Sequence, residues 1–518
     1  MAIPKGVGHL PTRDRHAERL GAKPASRAGE VRPSVMADEH LELTTFADAI
    51  ASMLDSLADV APLPSAATTH RKDLGPARHH EDPCNALVRR THVVGTAPGP
   101  LSDMRVSVKD SIAMAGIPLT CGSAVLRDFT PTGDATVVRR LLDGGATITA
   151  VTNMDDLAFA GSGDTSVYGP TLNPHDRSLL AGGSSGGAAA SLLYEDDDLA
   201  VGTDQGGSVR VPASWCGTLG FKPTHGLIPY TGVAPMEPTL DHVGLLSRSV
   251  EPLTRALTVV AGPDGQDLRQ HRCPRSVPSA LTDRSSVDLG NTRLRIVTVT
   301  RNAADAPVRA AFDDVVERLR SAGAKIGTTE LDPAELGPVG TGLFVEGMRH
   351  TIEGVHPAYG GSEYQWVEYT EALRKGIRDR HDELSPQIKA TLLAAGTLQG
   401  SSPNRAYSRA VMAAERLRTS YRAALEEADF LIEPTVPSLP VAVSGGPTSV
   451  AGLADRAWAP LANTVGANIA GLPSISLPLG TSHGLPVGIM VTGKPWHDWA
   501  LLEFAASCEQ QLGWVKPA

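Results

Sequence analysis

Along most of the chain, short apolar runs alternate with segments whose apolar residues recur every three or four positions. The first such segment, Leu43–Ala61 (LTTFADAIASMLDSLADVA), predicts an amphipathic helix, with Thr44 or Thr45 as its cap. From Asn85 onward, strand-like and helix-like patterns take turns. Met104–Ile112 (MRVSVKDSI) predicts a strand. Gly133–Thr152 predicts a helix capped by Asp134, then a Gly-Gly stop and a second strand. A strand over Leu294–Thr300 and a helix within Ala306–Ile326 repeat the alternation. This order implies an α/β fold: a large mixed, mainly parallel β-sheet flanked by α-helices.

Between and before these elements the pattern is polar. Residues 1–35 carry seven Lys/Arg against three Asp/Glu, with no apolar period. They predict a disordered tail over about residues 1–38, with Met36 as a candidate translation start. Residues 39–84 read as a small helical extension and a polar linker, and 85–518 as the main domain. Arg78–Cys84 (RHHEDPC) gathers metal-ligating residue types. No second ligand set with matching spacing accompanies it, so it reads as solvated linker and no metal site is expected.

Composition narrows the function classes. The formal net charge of −10 argues against broad neutralisation of nucleic-acid phosphates and leaves room only for a local basic patch. The five cysteines are scattered and form no C-x-x-C, which predicts a reduced, cytoplasmic protein. No apolar run approaches membrane-spanning length and no secretory leader is evident, so no membrane partner is expected.

Candidate chemistry centres on serine. Ala181–Ser191 (AGGSSGGAAAS) matches the G-x-S-x-G nucleophile elbow. The residues before it make a poor strand, however, and the downstream Asp241-His242 pair would point to opposite faces of an extended segment. No lysine follows the glycines, so a Walker phosphate loop is excluded. A second stretch, Val201–Gly217 (VGTDQGGSVRVPASWCG), places Ser208 at the end of a Gly-Gly turn able to present several N–H groups to an oxyanion. Such a serine needs a base. Lys109, inside the apolar VSVKDSI, is a candidate if burial lowers its pKa.

Together these motifs resemble the amidase signature family, the Ser–cisSer–Lys hydrolases. VSVKDSI, AGGSSGGAAAS and GTDQGGSVRVPASWCG occur in family order, with Lys109 and Ser184 75 residues apart and Ser208 24 residues further on. The likeness extends through Gly220–Gly232, Thr239–Glu251, Ala467–Gly480 and Gly484–Ala505. It implies the amidase signature fold for 85–518, with Ser208 as nucleophile, Ser184 as bridging serine after a cis peptide at Gly183, and Lys109 as neutral base. It implies an oxyanion hole from the amides of Gln205, Gly206, Gly207 and Ser208. Supporting roles fall to Ser185 and Asp204, and Arg210 would brace the loop. Ala188 departs from the family's commoner Ser, and GLLSRSV from its commoner G-P-M/I form.

Within the family, LIPYTGVAPMEPTLDHVG and PDGQDLRQ are most similar to broad-specificity amidases of nitrile-degrading actinobacteria, whose N-terminal helical extension contributes to a homodimer. The implied activity is hydrolysis of a small carboxamide or anilide through an acyl-enzyme, without metal or organic cofactor. The alternatives are acyl transfer to an amine or hydroxylamine, and a subunit of a tRNA-dependent amidotransferase. The acyl pocket is expected to draw on Phe344–Thr370, with Met348, Tyr364 and Trp366 as candidate lining.

Overall fold

The computed structural model describes residues 37–55, 63–78, 80–274, 288–331, 333–353, 366–401, 405–443 and 449–515. Residues 1–36 of the expected tail and Tyr364 lie outside them, whereas Ala37 and Asp38, expected at its end, belong to a helix. Contacts divide the chain into Met1–Val60 and Ala61–Ala518.

In the first unit, α1 runs over Ala37–Asp55. It starts earlier than the pattern suggested, so Thr44 and Thr45 are interior to it and not caps. Phe46, Ile50 and Met53 are exposed and, at i, i+4 and i+7, share one face.

The second unit is built on twelve strands among the described residues. In chain order they are β1 (Thr68–Pro76), β2 (Leu87–Gly95), β3 (Arg105–Lys109), β4 (Thr147–Thr152), β5 (Leu199–Asp204) and β6 (Leu219–Lys222). They continue as β7 (His242–Ser247), β8 (Arg293–Val297), β9 (Lys325–Thr329), β10 (Phe430–Pro434), β11 (Ser474–Ser482) and β12 (Leu485–Thr492). All lie in one sheet, ordered β1-β2-β4-β3-β5-β7-β6-β11-β12-β10-β8-β9. Parallel pairing is confined to β4-β3-β5 and β10-β8-β9. The other neighbours pair antiparallel, so the sheet is mixed, and parallel over a narrower part than the strand–helix alternation suggested.

Helices explain the strand sequences. Residues 106–109 and all of β5 are buried, as expected for central strands covered on both faces. The helix α2 (Thr136–Asp143) follows the expected periodic stretch. Its N-cap is Ala135, not Asp134. The Asp134 carboxylate instead accepts from the backbone N–H of Ala66 and Ala115 and pairs with Arg71 at 2.7 Å. It therefore ties the segment before β1 and β1 itself to the body, a service to distant chain that outweighs a local cap.

Two further expectations change. The segment read as linker contributes β1, an edge strand whose exposed charged residues discourage further pairing. The strand expected over Leu294–Thr300 ends at Val297, where a short helix, Thr298–Ala303, begins. Among the described residues no group of His, Cys, Asp and Glu is placed to hold a metal, and no helix is long and apolar enough to cross a membrane.

Candidate active site

Lys109 ends β3 and is fully buried. Its Nζ donates to Ser184 Oγ at 2.8 Å and to Thr203 Oγ1 at 2.8 Å. Burial disfavours the charged ammonium and lowers its pKa to about 7, although Asp155 and Asp204 pull the other way. Lys222 is a second fully buried lysine, but its Nζ donates to the Pro223 and Leu472 carbonyls. Of these two lysines, Lys109 is the one hydrogen-bonded to a serine hydroxyl.

Ser184 sits on the turn before α3 (Gly186–Ser191), and the Gly183–Ser184 peptide bond is cis. Only a glycine fits at 183, because a Cβ there would lie 1.8 Å from Asp155 Oδ2. Asp155, which the sequence reading missed, holds this turn. Its N–H donates to Ser184 O at 3.3 Å, and its carboxylate accepts from the N–H groups of Gly163 and Thr165. Its signal was the polar pair inside VTNMDDLAFAG, which carries no spacing rule of its own.

The turn that follows β5 presents Gln205, Gly206, Gly207 and Ser208, and leads into α4 (Arg210–Cys216). Gly207 has φ +142°, and a Cβ there would lie 2.0 Å from Thr464 Oγ1. Thr464 Oγ1 donates to the Gly206 carbonyl at 2.5 Å, turning that oxygen away. The amides of Gly206, Gly207 and Ser208 donate no hydrogen bond to a described residue. They are thus free to meet an oxyanion. The Gln205 side chain donates to Tyr230 Oη at 2.7 Å.

The two serine turns are joined through backbone, with Ser185 N–H donating to Ser208 O at 3.0 Å. Ser185 Oγ also donates to Thr203 O at 3.1 Å. No hydrogen bond joins the Ser184 and Ser208 hydroxyls. Ser208 lines a cavity of about 210 Å³ with Phe159, Met236, Phe344, Trp458 and Leu461. A second cavity of about 400 Å³ shares Ala158, Phe159 and Met236 with it and is also lined by Thr203 and Met348. Met348 thus lines this second cavity and not the one at Ser208. Trp366 packs against Phe129 and Tyr369 and lines neither cavity.

Behind the turn lies a buried ion pair. Arg210 grips Asp204 with Nε and Nη2 at 3.0 and 2.9 Å, and both side chains are inaccessible. Asn468 donates to the same carboxylate at 2.9 Å, and Arg210 also donates to Thr464 O. Burial alone would raise the Asp204 carboxyl, but Arg210 and Asn468 hold it at about 2. Arg210 therefore braces the loop from behind. The rival pair is split: His242 Nδ1 meets Leu240 O at 2.6 Å, whereas Asp241 lies 3.9 Å from Arg269.

A family model described as Amidase matches residues 84–502. The chain is 35% identical to an enantioselective amidase of Rhodococcus rhodochrous over 84% of each chain. It is 34% identical to a glutamyl-tRNA(Gln) amidotransferase subunit from Halobacterium salinarum, covering 82% of this chain and 99% of that one. Among solved structures, the peptide amidase of Stenotrophomonas maltophilia superposes with a TM-score of 0.66 at 27% identity, over 81% of this chain and 84% of that one.

Proposed function

The chain belongs to the amidase signature family of enzymes acting on amide C–N bonds, and from that premise we propose that it hydrolyses a small carboxamide through a Ser208 acyl-enzyme. Ser208 Oγ attacks the amide carbonyl carbon while its proton passes to Ser184 Oγ, and the Ser184 proton passes to neutral Lys109 Nζ. The amides of Gly206, Gly207 and Ser208, with that of Gln205, hold the oxyanion of the tetrahedral intermediate. The proton returns along the same path to the leaving nitrogen, and ammonia or an amine departs. Water then attacks the ester, its proton passing through Ser184 to Lys109 and back to Ser208 Oγ as that oxygen leaves, and the acid is released.

The observation that carries this reading is the 2.8 Å hydrogen bond between a fully buried lysine, lowered to about 7, and the serine beside the Gly-Gly-Ser turn. The apolar, aromatic lining at Ser208 favours an aliphatic or aromatic acyl group. Intact-protein mass spectrometry with amide and anilide substrates, seeking an acyl adduct on Ser208, tests it. Dominant amide product in the presence of an added amine or hydroxylamine would instead favour acyl transfer.

The similarity to amidotransferase subunits favours a second reading, in which the chain works within a larger complex and releases ammonia for a tRNA-bound acceptor. Ammonia release from simple amides by the purified chain, without partner subunits, separates the two. The exposed Phe46, Ile50 and Met53 face of α1 further supports a homodimer formed through that helix.

A further inference from the structure

A second, solvent-open cleft shares no lining residue with the cavity at Ser208. Its walls carry Arg269, Arg272, Arg418 and Arg422 against the single acidic residue Glu415. Two of these arginines are already neutralised. Arg269 is bound to Asp267 at 2.7 Å and Arg418 to Glu415 at 2.5 Å. Arg272 and Arg422 are exposed, and their side chains make no ion pair or hydrogen bond with a described residue. The cleft thus offers two guanidinium groups without a carboxylate partner among the described residues, in a chain whose net charge is −10. The half-buried ring of Trp496 lies on the same wall.

We propose that this cleft binds the dianionic phosphate group of a small molecule, with Arg272 and Arg422 as its charge partners. Two unpaired guanidinia match the charge of a phosphate dianion and offer forked N–H donors to its oxygens. A single carboxylate would leave one of them unmatched. Arg418 connects the cleft to the fold, since its Nε donates to Ile469 O at 2.9 Å, one residue from the Asn468 that holds Asp204. Trp496 offers a stacking surface if the phosphate belongs to a nucleotide.

The test is calorimetric titration of inorganic phosphate into the full-length protein, with sodium chloride adjusted to keep ionic strength constant. Saturable binding is expected, weakened at least tenfold in the Arg272→Glu/Arg422→Glu double variant. Absence of binding in the wild type, or undiminished binding in a folded double variant, overturns the proposal. Should the double variant unfold, Arg272→Gln and Arg422→Gln taken singly must each weaken binding, and unchanged affinity in both overturns it equally. Adenosine monophosphate identifies the source. Tighter binding than phosphate, lost in Trp496→Ala, points to a nucleotide, whereas equal affinity points to the free ion, and either supports the phosphate site.

Discussion

Lys109 Nζ and Ser184 Oγ stand 2.8 Å apart, although 75 residues separate them in the chain. One ends a central strand and the other sits on a turn ahead of a short, small-residue helix. Their meeting gives a buried amine a hydroxyl through which to exchange protons.

The first consequence concerns pH. Burial lowers Lys109 to about 7, and only the neutral amine can accept a proton. Below that value the ammonium form dominates, so kcat/KM should fall roughly tenfold per pH unit on the acid side and level off above. Lys109→Ala should lose about 10²- to 10⁴-fold at neutral pH and with it this acid limb. A wild-type rate unchanged between about pH 6 and about pH 8 would remove Lys109 from the mechanism.

Ser208→Ala should abolish the acyl adduct and lower kcat on the order of 10⁶-fold. Ser184→Ala keeps the nucleophile and loses the relay, so its adduct should form slowly but still on Ser208. Rapid stopped-flow acylation in Ser184→Ala, or any adduct in Ser208→Ala, would show these roles to be misassigned.

Breaking the buried Asp204–Arg210 pair should cost about 3–5 kcal/mol in either Asp204→Asn or Arg210→Met, because one charge is left unmatched. Chemical denaturation measures this. The folded Asp204 carboxyl, at about 2, lies below its ordinary value of 3.8. The unfolded chain therefore binds the proton more readily, and this contribution is present above the unfolded value and lost as pH falls toward 2. A loss below about 1 kcal/mol in both variants would mean that the pair does not brace the loop.

Glu433, on β10, is fully buried. Burial raises it from 4.5 to about 7. Its folded value lies above the unfolded one, so the stability it contributes is present below about 4.5 and lost as pH rises through about 7. Glu433→Gln should leave Tm unchanged in acid and raise it relative to wild type at about pH 8. Parallel Tm–pH curves for the two proteins would contradict this.

In the homodimer we propose, the α1 face should hold the two copies together. Phe46→Asp with Ile50→Asp should convert the protein to monomer in light scattering, while leaving amide hydrolysis measurable. A dimer that persists at micromolar concentration would place the interface elsewhere.

Much of the site was legible because its parts are local. A lysine inside an apolar strand pattern, and glycines bracketing serines, offer Lys109, Ser184 and Ser208 as candidates, and the order and spacing of their three motifs give the resemblance that implies their roles. The strand over Met104–Ile112 and the helix after Asp134 follow from periodicity, which encodes the face an element buries. What remained hidden depends on distant chain. Asp134 looked like a cap, yet it serves Ala66, Ala115 and Arg71. The linker became β1 because β2 offered it an edge. Parallel pairing stops at β5 because β7 returns beside it.

By itself, then, the sequence supplied the strand and turn patterns around Lys109, Ser184 and Ser208, since these act over a few neighbouring residues, and the order of the three motifs carried the resemblance that makes them the candidate catalytic residues. Only the tertiary structure decided that Thr203 shares the Lys109 amine, that Asp155 closes on Gly183, and that Asn468 and Arg210 together hold Asp204. Apart from Arg210, only six residues from Asp204, those partners lie tens to hundreds of residues away along the chain. Burial then sets the protonation of Lys109 and Asp204, because the cost of a charge depends on every group packed around it.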